Sequence, residues 1–117
     1  MNVELKTQKH NVIDSGIVFV PIEEDSVEFH IQANETFSFV VALKFVDKEG
    51  AEQNMKADIQ GDVITFTCTN FKNEGTGTKE CMELATVSGK KIYLLFWYYK
   101  MSEKSPRKIE YTFLQER

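Results

Sequence analysis

Lys91-Ile-Tyr-Leu-Leu-Phe-Trp-Tyr-Tyr-Lys100 is apolar on both sides of an extended chain. Successive side chains of a strand point to opposite faces. One face therefore carries Ile92, Leu94, Phe96 and Tyr98. The other carries Tyr93, Leu95, Trp97 and Tyr99, with Met101 extending it. A half-buried antiparallel strand shows polar residues on one of its faces. This stretch does not, so it reads as a central strand with one face in a core and the other covered by a wrapped segment, a second sheet or a partner.

The rest of the chain repeats the period of two. Val27, Phe29 and Ile31 alternate with polar neighbours, and Phe37, Phe39, Val41, Leu43 and Phe45 share one face of the longest run. Ile64, Phe66 and Cys68 do the same in a β-branched, aromatic segment. Ile109, Tyr111 and Phe113 close the chain. Ile17 to Val20 ends at Pro21, Val3 and Leu5 suggest a short first strand, and Met55, Ala57 and Ile59 suggest a weak edge strand. Turn signals recur between these runs: Asp14-Ser15-Gly16, Glu23-Glu24-Asp25, Asp47 to Gly50, Gly61-Asp62, Ser88-Gly89 and Ser102 to Arg107. The best place for one short helical turn is Glu49 to Ala57; no window sustains helical spacing.

This pattern predicts an all-β fold: a single antiparallel β-sandwich, immunoglobulin-like or jelly-roll-like, of about nine strands spanning residues 1–117 as one domain. Its core is expected to contain Phe29, Phe37, Phe39, Val41, Leu43, Phe66, Leu94, Phe96, Tyr111 and Phe113. A two-residue turn at Ser88-Gly89 would pair Leu84 with Tyr93 and Met82 with Leu95. A loop from Ser102 to Arg107 would pair Phe96 with Phe113 and Tyr98 with Tyr111.

Composition narrows the function. The 117 residues are 42% hydrophobic and 27% charged, with a formal net charge of −4, which suits a soluble globular domain and disfavours a phosphate-tracking surface. Nucleic acid is not an expected partner. Neither is a membrane, because no apolar run approaches the roughly 20 residues needed to cross one. Met1-Asn-Val-Glu-Leu-Lys lacks the basic and apolar regions of a leader, so a cytoplasmic location is expected.

No constellation for catalysis or metal binding stands out. Gly75-Thr76-Gly77-Thr78-Lys79 lacks the spacing and the following helix of a phosphate-binding loop. Glu23, Glu24 and Asp25 read as a solvated turn, and His10 and His30 have no ligand spacing around them. If the apolar faces around Cys68 and Cys81 both point to the core side, the two thiols point apart, which argues for reduced cysteines over a disulfide. No catalytic residue, metal or cofactor is expected.

Asn70-Phe71-Lys-Asn73-Glu-Gly75-Thr76-Gly77-Thr78, followed by Gly89-Lys90-Lys91-Ile92-Tyr93-Leu94-Leu95-Phe96, resembles a group of small uncharacterised bacterial domains. In these an Asn-Phe strand end enters a Gly-Thr-Gly-Thr loop and a Gly-basic turn leads into an aromatic strand. The resemblance implies a compact all-β fold and carries over no activity.

The functional expectation rests on the second face of the aromatic strand. Tyr and Trp are enriched at interface hot spots, so Tyr93, Trp97, Tyr99 and Met101 are the candidate interface of a non-catalytic interaction module. It would bind a protein partner or a second copy, the latter as a two-fold homodimer. The alternative is a small-ligand or carbohydrate binder that uses Tyr93, Trp97 and Tyr99 as a stacking platform.

Overall fold

A computed structural model of the chain describes residues 9–46, 57–69, 78–102 and 104–117. The expected strand at Val3 and Leu5, the turn at Asp47 to Gly50, the helical turn from Glu49 and most of the Gly-Thr-Gly-Thr loop lie outside these residues. Eight strands are present among the described residues, and they form two four-stranded sheets. The strands are β1 (His10–Val20), β2 (Ser26–Gln32), β3 (Ser38–Val46), β4 (Ala57–Gln60), β5 (Val63–Thr69), β6 (Thr78–Val87), β7 (Lys90–Lys100) and β8 (Arg107–Glu116). The front sheet has the order β1-β8-β7-β6 and the back sheet the order β2-β3-β5-β4. The fold is all-β and not closed into a barrel, with eight described strands in place of about nine.

The inner faces pack as the period-two pattern requires. Phe39, Val41, Leu43 and Phe45 of β3 meet Ile92, Leu94, Phe96 and Tyr98 of β7, all at most 3% exposed. Aromatic rings bridge the sheets, with Phe29 lying 4.6 Å from Tyr111 and 5.6 Å from Phe113. Two expected core residues differ. Tyr111 is half-buried against the core. Phe37 is 40% exposed, because β3 begins only at Ser38. Asn34 takes over the chain before it: its Oδ1 accepts hydrogen bonds from the Thr36 and Phe37 N–H groups, each at 2.8 Å. That side-chain turn leaves Phe37 at the rim, touching Phe39 at 5.7 Å.

The strand pairing departs from expectation in four places. Asp14-Ser15-Gly16 is not a turn; it runs through β1, where a bulge between Val12 and Asp14 absorbs one residue. Gly16 is needed there for space, since a Cβ at this position would stand 3.0 Å from the Tyr111 hydroxyl. The back sheet is not purely antiparallel. β5 pairs parallel to β3, and the short β4, joined to β5 by the tight Gly61-Asp62 turn, sits at the edge. Local alternation cannot distinguish these arrangements, because β5 presents the same inward residues either way.

The Ser88-Gly89 turn is the expected two-residue one, with both residues at positive φ (53° and 77°), and it pairs Ala85 with Ile92. A bulge between Glu83 and Ala85 then changes the partners. Glu83, not Leu84, faces Tyr93, and Met82 faces Leu94 rather than Leu95. Leu84 and Met82 thereby join the core. The β7–β8 register is offset by two residues from expectation, with Phe96 opposite Tyr111 and Tyr98 opposite Ile109. An even offset keeps every side chain on its face.

Arg107 closes one end. It is 6% exposed, lies 5.7 Å from the Phe45 ring centroid and donates from Nη1 to the Glu24 carbonyl at 2.9 Å. The polar turn at Glu23 to Asp25 is thus tied to the start of β8.

Replacing Phe39 or Phe96 by Ala should lower the free energy of unfolding by about 3–5 kcal/mol in denaturant titration, through lost burial and the residual cavity. Cys68 supplies a second expectation. It is fully buried and free, and burial, with the Glu80 carboxylate adding to it, pushes its thiol from 9.0 up to about 12. The folded state keeps protonated a thiol that the unfolded chain would ionise. This contribution to stability is therefore complete below pH 9 and declines as pH rises from 9 towards 12. Cys68→Val should flatten the alkaline fall of the urea midpoint, and maleimide should reach Cys68 only on unfolding.

Candidate functional site

The two outer faces differ in chemistry. On the back sheet β2 and β3 present Glu28, His30, Gln32 and Lys44, and β5 presents Thr65 and Thr67. Val40, Ala42 and Val46 of β3 lie among them, buried or half-buried, so the exposed part of this face is mainly polar. On the front sheet the same parity rule places Tyr93, Leu95, Trp97 and Tyr99 of β7 outward. They lie between Lys108, Glu110, Thr112 and Leu114 of β8 and Lys79, Cys81 and Glu83 of β6.

This outer face is partly self-covered. Tyr99 is 8% exposed and Leu114 only 1%, while Tyr93 and Trp97 are half-buried. The rings lie over neighbouring strands. Trp97 and Tyr99 have centroids 4.7 Å apart, and His10 meets Tyr93 edge-on at 5.8 Å. Two cations sit on the aromatic surface, Lys79 Nζ at 5.7 Å from the Trp97 ring and Lys108 Nζ at 5.6 Å from Tyr99. A hydrogen bond to the Tyr99 hydroxyl raises the Lys108 pKa. Met101 is not on the strand: it lies beyond Lys100, in the connection to β8, and is 49% exposed.

The structure brings Tyr93, Trp97 and Tyr99 to one face and adds residues that the strand alone does not reveal. Val12, Ile17 and Phe19 of β1 project from the same side and are 53%, 55% and 61% exposed. Their signal was in the sequence. Ile17-Val-Phe-Val20 is apolar on both faces, as β7 is, with Val18 and Val20 facing the core and Ile17 and Phe19 facing out. Between β1 and β6 lies a depression of about 480 Å³, spanning all four strands and lined by Ser15, Ile17, Leu95, Trp97, Glu110 and Lys79 among others.

Burial raises the pKa of the half-buried Cys81 thiol and of the Glu80 carboxyl, as it does for Cys68, so these thiols are held in the protonated, weakly nucleophilic form. Both cysteines are free. His30 lies on the back sheet, 4.0 Å from Glu28, with both side chains mostly exposed; His10 lies on the front sheet. Among the described residues no group of three or more His, Cys, Asp or Glu side chains could hold a metal ion. No helix among them is long and apolar enough to cross a membrane.

Comparison with curated proteins and comparison with solved structures each give no match. A family profile does match, over residues 4–116. That span takes in both sheets and every strand described above, from the apolar edge of β1 to the end of β8. The chain belongs to the DUF6864 family, a domain of unknown function.

Proposed function

We propose that the chain is a non-catalytic interaction module that docks a protein partner on the outer face of its front sheet. The observation that carries this reading is the contrast between the two outer faces. One is mainly polar where it is exposed. The other combines exposed Val12, Ile17 and Phe19 with the half-buried Trp97 and Tyr93. Large apolar groups gathered on one sheet face, ringed by charges such as Lys79, Glu83 and Lys108, match the anatomy of an interface core with a polar rim. Trp97 is the natural anchor, since Tyr99 and Lys79 already restrain it and little side-chain freedom remains to be lost on binding. The resemblance to small bacterial domains belongs to the same proposal. So does a cytoplasmic setting, which the free thiols support.

A second reading has one observation in its favour. The depression of about 480 Å³ combines the Trp97 ring with Lys79, Glu110, Ser15 and Thr112. An aromatic wall among hydrogen-bonding groups suits a polyhydroxylated ligand such as an oligosaccharide.

The experiment compares three baits: wild type, a front-face variant (Phe19→Ser with Trp97→Ala) and a back-face control (His30→Ala with Thr67→Ala). A protein bound by wild type and control should bind the front-face variant at least tenfold more weakly when purified. Equal binding by all three baits overturns the docking face. A shift in the fluorescence of Trp97 on titration with soluble oligosaccharides, in the absence of any protein partner, would favour the second reading.

A further inference from the structure

The described strands form two sheets with four edges, and three of these are guarded. β4 is four residues long, too short to template much pairing, and carries Asp58. β2 carries Glu28 and His30. β6 carries Lys79, Glu80 and Glu83 and is bent by its bulge. Charges, bulges and short lengths are the devices that keep sheet edges from pairing with other chains. β1 is different. Among the described residues it pairs with β8 alone, and from Ser15 to Val20 it contains no charged residue. Ile17 and Phe19 there are 55% and 61% exposed.

We infer that the free edge of β1 pairs antiparallel with β1 of a second copy, joining two front sheets into one continuous eight-stranded sheet. The free stretch has natural limits. The bulge between Val12 and Asp14 ends it on one side and Pro21, which has no N–H to donate, ends it on the other. The middle of Asp14–Val20 is Ile17. Two copies paired about that residue set Ile17 beside its symmetry mate, Phe19 opposite Ser15 and Asp14 opposite Val20. No like charges meet, and on the outer side the Ile17 pair sits at the centre of the junction with Phe19 of each copy flanking it over Ser15 of the other.

A two-fold axis satisfies both edges at once and leaves no open edge at the junction. A second copy is the occupant that this charge pattern fits. From Ser15 to Val20 the edge offers no charge to select a foreign strand, while it is complementary to itself about Ile17. The proposal does not depend on docking at the front face, because it uses the backbone of β1 and leaves Trp97 uncovered.

Light scattering and sedimentation from low to high micromolar concentration test it. The wild-type chain should approach twice its 13.5 kDa mass as concentration rises, with the β1 amides protected from hydrogen exchange in step with dimer formation. Ile17→Lys should weaken the dimer at least tenfold with the circular dichroism unchanged. Should that variant fail to fold, Ser15→Lys, at an exposed position, should give the same loss. Trp97→Ala should leave the dimer intact. A mass that stays at 13.5 kDa throughout overturns the inference. So does a dimer that Trp97→Ala abolishes and both lysine variants leave intact, since the second copy would then sit on the face and not the edge.

Discussion

The two-sided apolar pattern of β7 is the constraint on which the architecture depends. Its inner residues, Ile92, Leu94, Phe96 and Tyr98, are at most 3% exposed and lie in the core between the two sheets. Full burial of each such side chain is worth about 1.5–3 kcal/mol, so a strand that carries four of them must lie centrally. β8 and β6 pair on its two sides, and β1 is carried on β8. Placing β7 this way settles where the other three strands of the front sheet can go. It also leaves a second row of aromatic and aliphatic groups that the core does not use.

That second row is handled by local devices. The bulge in β6 turns Leu84 and Met82 inward and brings Glu83 and Lys79 to the outer flank of β7. Had the pairing continued unbroken from the Ser88-Gly89 turn, the outer face would have been hydrophobic on its β6 side as well. Lys79 and Lys108 cover part of what remains by lying on the Trp97 and Tyr99 rings. The result is a face whose charged flank lies towards β6 and whose apolar flank lies towards β1. Its chemistry is directional.

The proposed function rests on surfaces and not on a reactive group. The thiols are buried or half-buried and held protonated, and the two histidines lie on different sheets. Front face and β1 edge are adjacent yet distinct: one offers side chains, the other backbone hydrogen-bonding groups. If two front sheets join along β1, their apolar flanks meet, and the docking surface is doubled across the two-fold axis.

Much of this could be read without the fold. Alternation along Phe39 to Phe45, Ile64 to Cys68 and Ile92 to Tyr98 determined which residues face inward, because side-chain direction in a strand is a local property with period two. The Gly61-Asp62 and Ser88-Gly89 turns were legible for the same reason: two residues with positive φ or a compact turn need no distant partner. What tertiary structure decided is everything that depends on which strands become neighbours. The parallel β3–β5 pair and the two-residue offset of β8 leave inward and outward faces unchanged, and the β6 bulge alters only which face of β6 meets the core beyond the turn, so alternation along any single strand is blind to all three. The candidate site divides along the same line. Tyr93, Trp97 and Tyr99 were visible as one face of one strand. Ile17 and Phe19 joined them only because β1, distant in sequence, runs beside β8 as the outermost strand of the same sheet, where pairing satisfies the backbone on one side and leaves the other to solvent.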